Sequence, residues 1–214
     1  MDFEARLHRV AQERVPQSAN EGYPPLVVYY HRFAPFLETE PWVAASPLQP
    51  HPRLIEAAER IGAIVDFLVI TCNYLHVFQR EVEQASGRPV LSMVDVALAA
   101  ARARGWERVG LPAFREPAVY LNAIGSQLET EILDGELRDR VDAGITRVME
   151  GRFGEADSAA AREALAELRA RPVDGIVLAC TEIPFLLGPD GEGAEDVLNP
   201  IQLLAEAALE QAIS

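Results

Sequence analysis

The stretch Ile70-Thr71-Cys72-Asn73-Tyr74-Leu75-His76 decides the reading of this chain. Before it, Asp66 to Thr71 is apolar and rich in β-branched residues, the composition of a buried strand; after it, Leu75, Val77, Phe78 and Val82 recur at helical spacing. Cys72 therefore stands where a strand gives way to a helix. The same arrangement returns later. Gly175 to Ala179 is a second apolar run, and it ends at Cys180-Thr181-Glu182-Ile183. The chain has two cysteines, 180 − 72 = 108 residues apart. A cysteine that ends a buried strand is in general a small hydrophobe. Two of them in matching contexts read as two halves of one site.

Around these segments, strands and helices alternate. Residues 2–14 carry apolar positions at Phe3, Leu7, Val10 and Ala11, a helical spacing stopped by Pro16. Pro25 to Tyr30 reads as a strand. A proline-studded stretch with Pro35, Pro41, Pro47, Pro50 and Pro52 excludes helix over most of its length. Its Phe36 and Trp42 could cover a ligand or pin a surface loop. The spacing then predicts a helix from Leu54 to Ile61, a strand to Thr71, a helix from about Asn73 to Ala85 stopped at Gly87, a strand at Pro89–Met93, and a helix from Asp95 to Arg104. The second half predicts a strand at Arg108–Leu111, a helix at Pro117–Ile124, a strand at Leu128–Leu133, a helix at Leu137–Glu150, a helix capped by Ser158, the strand 174–179, a turn-rich patch at Gly188–Gly191, a short Val197-Leu198 segment and a closing helix over 200–213.

Such alternation predicts an α/β fold of two similar lobes, each a parallel sheet flanked by helices. The first lobe is expected over residues 1–97, completed by a C-terminal helix at 199–214, and the second over 98–198. Ligands in this architecture bind beyond the carboxyl ends of the strands. Both cysteines sit at that level, so the active site is expected in the cleft between the lobes.

Composition narrows the function. A net charge of −14 and a pI near 4.7 leave no basic patch for nucleic acid or anionic lipid. No apolar run reaches transmembrane length, and the first residues have no signal-peptide core, so a cytoplasmic protein with reduced thiols is expected. All 19 basic residues are arginine, and without a lysine there is no Schiff base for pyridoxal phosphate. No cluster has zinc-ligand spacing.

The chemistry open to the pair is proton transfer. A thiol at a helix N-terminus is expected to ionise easily, and the same N–H groups bind carboxylates. Asn73, Tyr74, Thr181 and Glu182 would supply those donors, and His76, one turn after Cys72, could face the site or serve packing. Two thiols roughly 6–8 Å apart could invert a carbon held between them, one removing the proton and the other delivering one to the opposite face.

At these residues the chain resembles the aspartate/glutamate racemase family. Cys72-Asn73-Tyr74-Leu75-His76 is similar to its Cys-Asn-Thr-Ala-His motif, and Ala179-Cys180-Thr181-Glu182-Ile183 to its Gly-Cys-Thr-Glu motif. The resemblance implies two lobes with pseudo-twofold symmetry, cofactor-independent racemisation through Cys72 and Cys180, a small carboxylate or amino-acid substrate, and a homodimer. There are departures. The family's first strand and its Gly-Gly-Met-Gly loop have no counterpart, so the first lobe is expected to lack that strand; either the native start lies upstream of Met1 or the lobe is built differently. Tyr74 replaces a threonine, Pro112-Ala113-Phe114 replaces a Gly-Thr segment, Leu37 takes an arginine's place and Met149 a lysine's. Those side chains anchor carboxylates in the family. Their loss argues against aspartate or glutamate and for a bulkier or less acidic substrate, with Arg32 and Arg115 as substitute anchors. Alternatives are a maleate-, hydantoin- or arylmalonate-type isomerase or decarboxylase, and an inactive small-acid-binding protein.

Overall fold

The computed structural model describes residues 2–16, 18, 22–31, 33–40, 43–125 and 127–214. Trp42 and Arg32 lie outside them, as does the start of the chain at Met1. In order, the elements are α1 (Asp2–Arg14), β1 (Glu38–Glu40), β2 (Val43–Ala44), α2 (Pro52–Gly62), β3 (Leu68–Val69), a 3-10 turn (Tyr74–Phe78), α3 (Gln79–Ser86), β4 (Val90–Leu91), α4 (Met93–Ala103), β5 (Arg108–Gly110), α5 (Ala118–Ile124), β6 (Glu129–Glu131), α6 (Gly135–Met149), α7 (Glu155–Arg169), β7 (Gly175–Val177), α8 (Ile183–Glu192), β8 (Val197–Leu198) and α9 (Pro200–Ile213).

Two parallel sheets form the centres of the two lobes. One pairs β3 with β4; the other is four-stranded in the order β6-β5-β7-β8. Side chains alternate across each sheet, and both faces are covered, which is why these strands read as continuous apolar runs. In the first lobe, Leu68, Ile70 and Cys72 pack toward α2 and α3, while Phe67 and Val69 pack toward α1 and α9. In the second, Ile176, Leu178 and Cys180 pack toward α6, α7 and α8, while Val177 and Ala179 face α4 and α5. Each cysteine thus continues one inward row of its strand. Helix α4 touches both cores: Met93 packs with α1 and α9, and Val94, Ala97, Leu98 and Ala101 pack on the second sheet. Arg6 of α1 pairs with Glu192 at the end of α8 (2.7 Å), whose carboxylate also accepts from Asn199 (2.6 Å).

Several sequence expectations need correction. Pro25–Tyr30 is not a strand. It joins no strand among the described residues, and Leu26 to Tyr30 stay exposed. An apolar pattern makes a strand only where an edge is within reach, and a groove of about 490 Å³, lined by Leu26–Tyr30 and by Phe67–Val69, separates this segment from β3. The proline-rich stretch holds a short antiparallel hairpin, β1–β2. Helix α4 starts at Met93, earlier than expected, because the Ser92 side chain caps it by accepting from the Asp95 N–H at 3.2 Å. Ser158 is not a cap but an interior residue of α7. That helix starts at Glu155, ahead of Ser158, where the Asp157 carboxylate accepts the Gly154 N–H at 2.9 Å. The patch at Gly188–Gly191 belongs to α8, which breaks at Gly188 (φ 69°), a conformation glycine adopts without penalty.

Candidate active site

Cys72 and Cys180 occupy equivalent positions. Each lies three residues past the end of its strand, 72 − 69 and 180 − 177. Both are free thiols, Cys180 buried and Cys72 half-buried. They lie within each other's electrostatic reach, since ionising Cys72 makes ionising Cys180 harder.

The backbone beyond the first strand differs from expectation. Cys72 leads into a 3-10 turn, with α3 proper starting only at Gln79. Main-chain N–H groups still point at the sulfurs, from Leu75 and Tyr74 at Cys72 and from Glu182 at Cys180. They do not produce acidic thiols. Burial pushes Cys72 up to about 11 and Cys180 well above the ordinary thiol value, and the negative charge of Glu182 raises both further. The expectation of easily ionised cysteines is overturned, because desolvation outweighs two amides on a short turn.

Glu182 is the acidic partner shared by the two thiols. Its Oε2 accepts from Cys180 Sγ at 3.0 Å and from Thr181 Oγ1 at 3.1 Å. Thr181 therefore gives its hydroxyl to the carboxylate instead of holding it out beside the sulfur.

Asn73 is 5% exposed. Its Oδ1 accepts from Tyr120 Oη at 2.8 Å, and its Nδ2 is buried with no partner. A buried amide donor without an acceptor is costly unless something fills the place. Tyr120 itself, 1% exposed on α5, lies close enough to Cys180 for the thiolate's charge to raise its phenol further, beyond the effect of burial. Sequence reading missed Tyr120 because its apolar ring sits on the buried face of a helix, with nothing to mark the hydroxyl.

Cys72 and Arg115 both act electrostatically on the Tyr74 phenol. Its ring meets Phe36 edge-on, with centroids 5.9 Å apart. Arg115 has φ 57°, a strained conformation for a side-chain-bearing residue, and Asp142 Oδ1 holds its backbone N–H at 2.9 Å. Its guanidinium lies 5.2 Å above the Phe114 ring. The residues next to Cys72 on the Tyr74 side are thus aromatic, with Arg115 within electrostatic reach.

His76 is brought next to Cys72 through main-chain contacts. Its Nδ1 lies 3.0 Å from the Cys72 carbonyl oxygen and its Nε2 accepts the Met93 N–H at 3.0 Å. A carbonyl only accepts, so Nδ1 carries the proton and both ring nitrogens are committed to main chain. Of the two roles open to His76, facing the site or serving packing, these two bonds favour the second. A cavity of about 330 Å³ also reaches Cys72 from the α2 side, between Tyr29–His31 and β3, and Cys180 is not among its walls.

Among the described residues no group of three His, Cys, Asp or Glu is placed to hold a metal, and no helix is long and apolar enough to cross a membrane.

A family model described as Asp/Glu/Hydantoin racemase matches residues 3–208. Among solved structures, a candidate Asp/Glu racemase of Yersinia pestis is 26% identical with a TM-score of 0.66, over 76% of this chain and 74% of that one. An aspartate racemase homologue of Pyrococcus horikoshii is 18% identical with a TM-score of 0.74, over 99% and 92%. The glutamate racemase of Francisella tularensis, solved with D-glutamate, is 15% identical with a TM-score of 0.55, over 75% and 62%.

Proposed function

Because the chain belongs to the Asp/Glu/hydantoin racemase family, we propose that it inverts the α-carbon of an amino acid without a cofactor, with Cys72 and Cys180 as the acid and base on opposite faces. The observation that carries this reading is the pair of thiols, one from each lobe, in electrostatic contact and sharing one carboxylate.

Both thiols rest protonated, so a thiolate has to be made when substrate is present. Holding Cys72 ionised at pH 7 costs about 5 kcal/mol, four pKa units at 1.36 each. That is roughly a third of the ~16 kcal/mol barrier of an enzyme turning over ten times a second. On the Cys180 side Glu182 supplies the proton acceptor, within hydrogen-bond reach of Sγ. Its carboxylate takes the Sγ proton, the Cys180 thiolate removes the α-proton, and the Cys72 thiol delivers its own proton to the opposite face. The turn ends with Cys72 as thiolate, held by the N–H groups of Leu75 and Tyr74, and Glu182 protonated; a proton passing from Glu182 to Cys72 on product release restores the start. In the reverse direction Cys72 is the base. The unpartnered Nδ2 of Asn73 suits the substrate carboxylate, whose charge grows toward an enediolate as the α-proton leaves.

Tyr74, Phe36 and Arg115 favour a side chain bulkier or less acidic than that of aspartate, with Arg115 as its one nearby cation among the described residues. Deuterium uptake at the α-carbon across a panel of amino acids in heavy water tests the proposal. Uptake that falls by about 10² or more in Cys72→Ala and in Cys180→Ala is expected. No uptake from any substrate, with carboxylate binding intact, would overturn it in favour of a binding protein.

A further inference from the structure

We infer that Tyr120 is a positioning residue for this site, its hydroxyl fixing the Asn73 carboxamide with Nδ2 turned to the substrate carboxylate. This deepens the reading above and rests on Asn73 as the carboxylate donor.

A carboxamide has two nearly isosteric ends of opposite character. With Nδ2 toward the ligand it donates to a carboxylate. Rotated half a turn, it sets Oδ1, an acceptor, against an anion. Nothing in the shape of a pocket tells the two apart, so a hydrogen bond has to. Tyr120 Oη supplies it, donating to Oδ1 at 2.8 Å. Both residues are sealed from water, at 1% and 5% exposure, so no solvent donor can do the same work. Burial keeps the phenol protonated, and so a donor. The orphaned Nδ2 is the consequence: with Oδ1 engaged, the donor end of a residue adjoining Cys72 is left buried and without an acceptor.

The bond also crosses between the lobes, since Asn73 comes after β3 and Tyr120 lies on α5 of the second lobe. The amide is therefore oriented only when the lobes are together, which ties carboxylate recognition to the meeting of Cys72 with Cys180.

Tyr120→Phe removes one oxygen and keeps the ring. Its effect on exchange should appear as a KM raised about tenfold, with kcat changed less. Asn73→Ala should lose more, about a hundredfold in kcat/KM. The double variant should match Asn73→Ala alone, because the hydroxyl has then nothing to orient. Losses that multiply, or a Tyr120→Phe effect that tracks a lowered melting temperature with no change in KM, overturn the inference. If the wild type exchanges no substrate, the racemase reading fails by itself, and the inference is read with malonate as probe. Malonate should perturb the Asn73 side-chain amide resonances in the wild type and bind about tenfold more weakly to Tyr120→Phe. Equal binding by both proteins, or no perturbation of that amide, overturns it.

Discussion

Cys180 Sγ donates to the Glu182 carboxylate at 3.0 Å, so one of the two thiols carries its own proton acceptor, while at Cys72 the main-chain N–H groups of Leu75 and Tyr74 face the sulfur. The two thiols are chemically unequal although each lies three residues past the end of its strand. Glu182→Gln separates two consequences. It removes the charge that disfavours both thiolates, so both cysteines should ionise at lower pH, seen as an earlier rise of thiolate ultraviolet absorbance in a titration. It also removes the acceptor for the Cys180 proton, so activity should fall by about 10². More acidic thiols with less activity would mark the carboxylate as a proton carrier. Thiols unchanged in the variant would sink that role.

Raised thiols also make stability depend on alkaline pH. A folded pKa of about 11 for Cys72, against about 9 unfolded, means that the folded chain holds this proton more tightly. The stabilisation is complete below pH 9 and is lost as pH rises toward 11, amounting to about 2–3 kcal/mol from this group. Cys180 shifts in the same direction. Urea denaturation across pH 7 to 11 should show the decline, and Cys72→Ala should flatten part of it. A decline of the same slope in the variant would contradict the burial of the thiol.

The architecture was legible because parallel strands buried on both faces write themselves as apolar runs, and two such runs ended in cysteine. The parallel pairing, and the alternation that points Cys72 and Cys180 to equivalent faces, came with that. The hidden features depended on partners distant in sequence. Leu26 to Tyr30 has a strand's composition but, across a groove from β3, pairs with no strand among the described residues. The ionisation of Cys72 looked favourable from its expected place at a helix N-terminus, yet it is set by enclosure, which no local pattern encodes. Tyr120 was invisible because the oxygen that matters sits on an otherwise ordinary buried ring. His76 was seen as a neighbour of Cys72, but its second bond goes to Met93, a residue of another element.

Close packing behind the first thiol gives a stability test. A Cβ built on Gly62 would lie 2.2 Å from the Ser86 carbonyl oxygen and 2.7 Å from its Cα. These are backbone atoms at the end of α3, so rotating a side chain cannot relieve the overlap. Gly62→Ala should force α2 and α3 apart and destabilise the fold by about 2–4 kcal/mol, although alanine is the better helix former. Chemical denaturation measures this directly. A variant as stable as the wild type would mean that the two helices are not held at this distance.

The last test concerns His76, whose ring joins the Cys72 carbonyl to the N–H that opens α4. Both bonds require the neutral ring protonated on Nδ1. A second proton would go to Nε2, the atom that accepts from Met93, so protonation breaks that bond and leaves two donors facing each other. Burial lowers the pKa of the folded-state imidazole. The unfolded chain therefore takes up a proton as pH falls below about 6.5 while the folded chain resists, so stability from this group is present above that pH and is lost beneath it. His76→Ala should cost about 1–3 kcal/mol at neutral pH, the penalty of stranding a buried N–H and a carbonyl, and should remove part of the acid-side decline. His76→Asn, which can keep one of the two bonds, should fall between the two proteins. Because the ring acts on Cys72 through its main chain, the Ala variant should also lose activity without gaining a new ionisation in the pH profile of kcat/KM. A profile that loses an ionisation near neutrality would instead mark His76 as a proton donor to substrate and return it to the reaction itself.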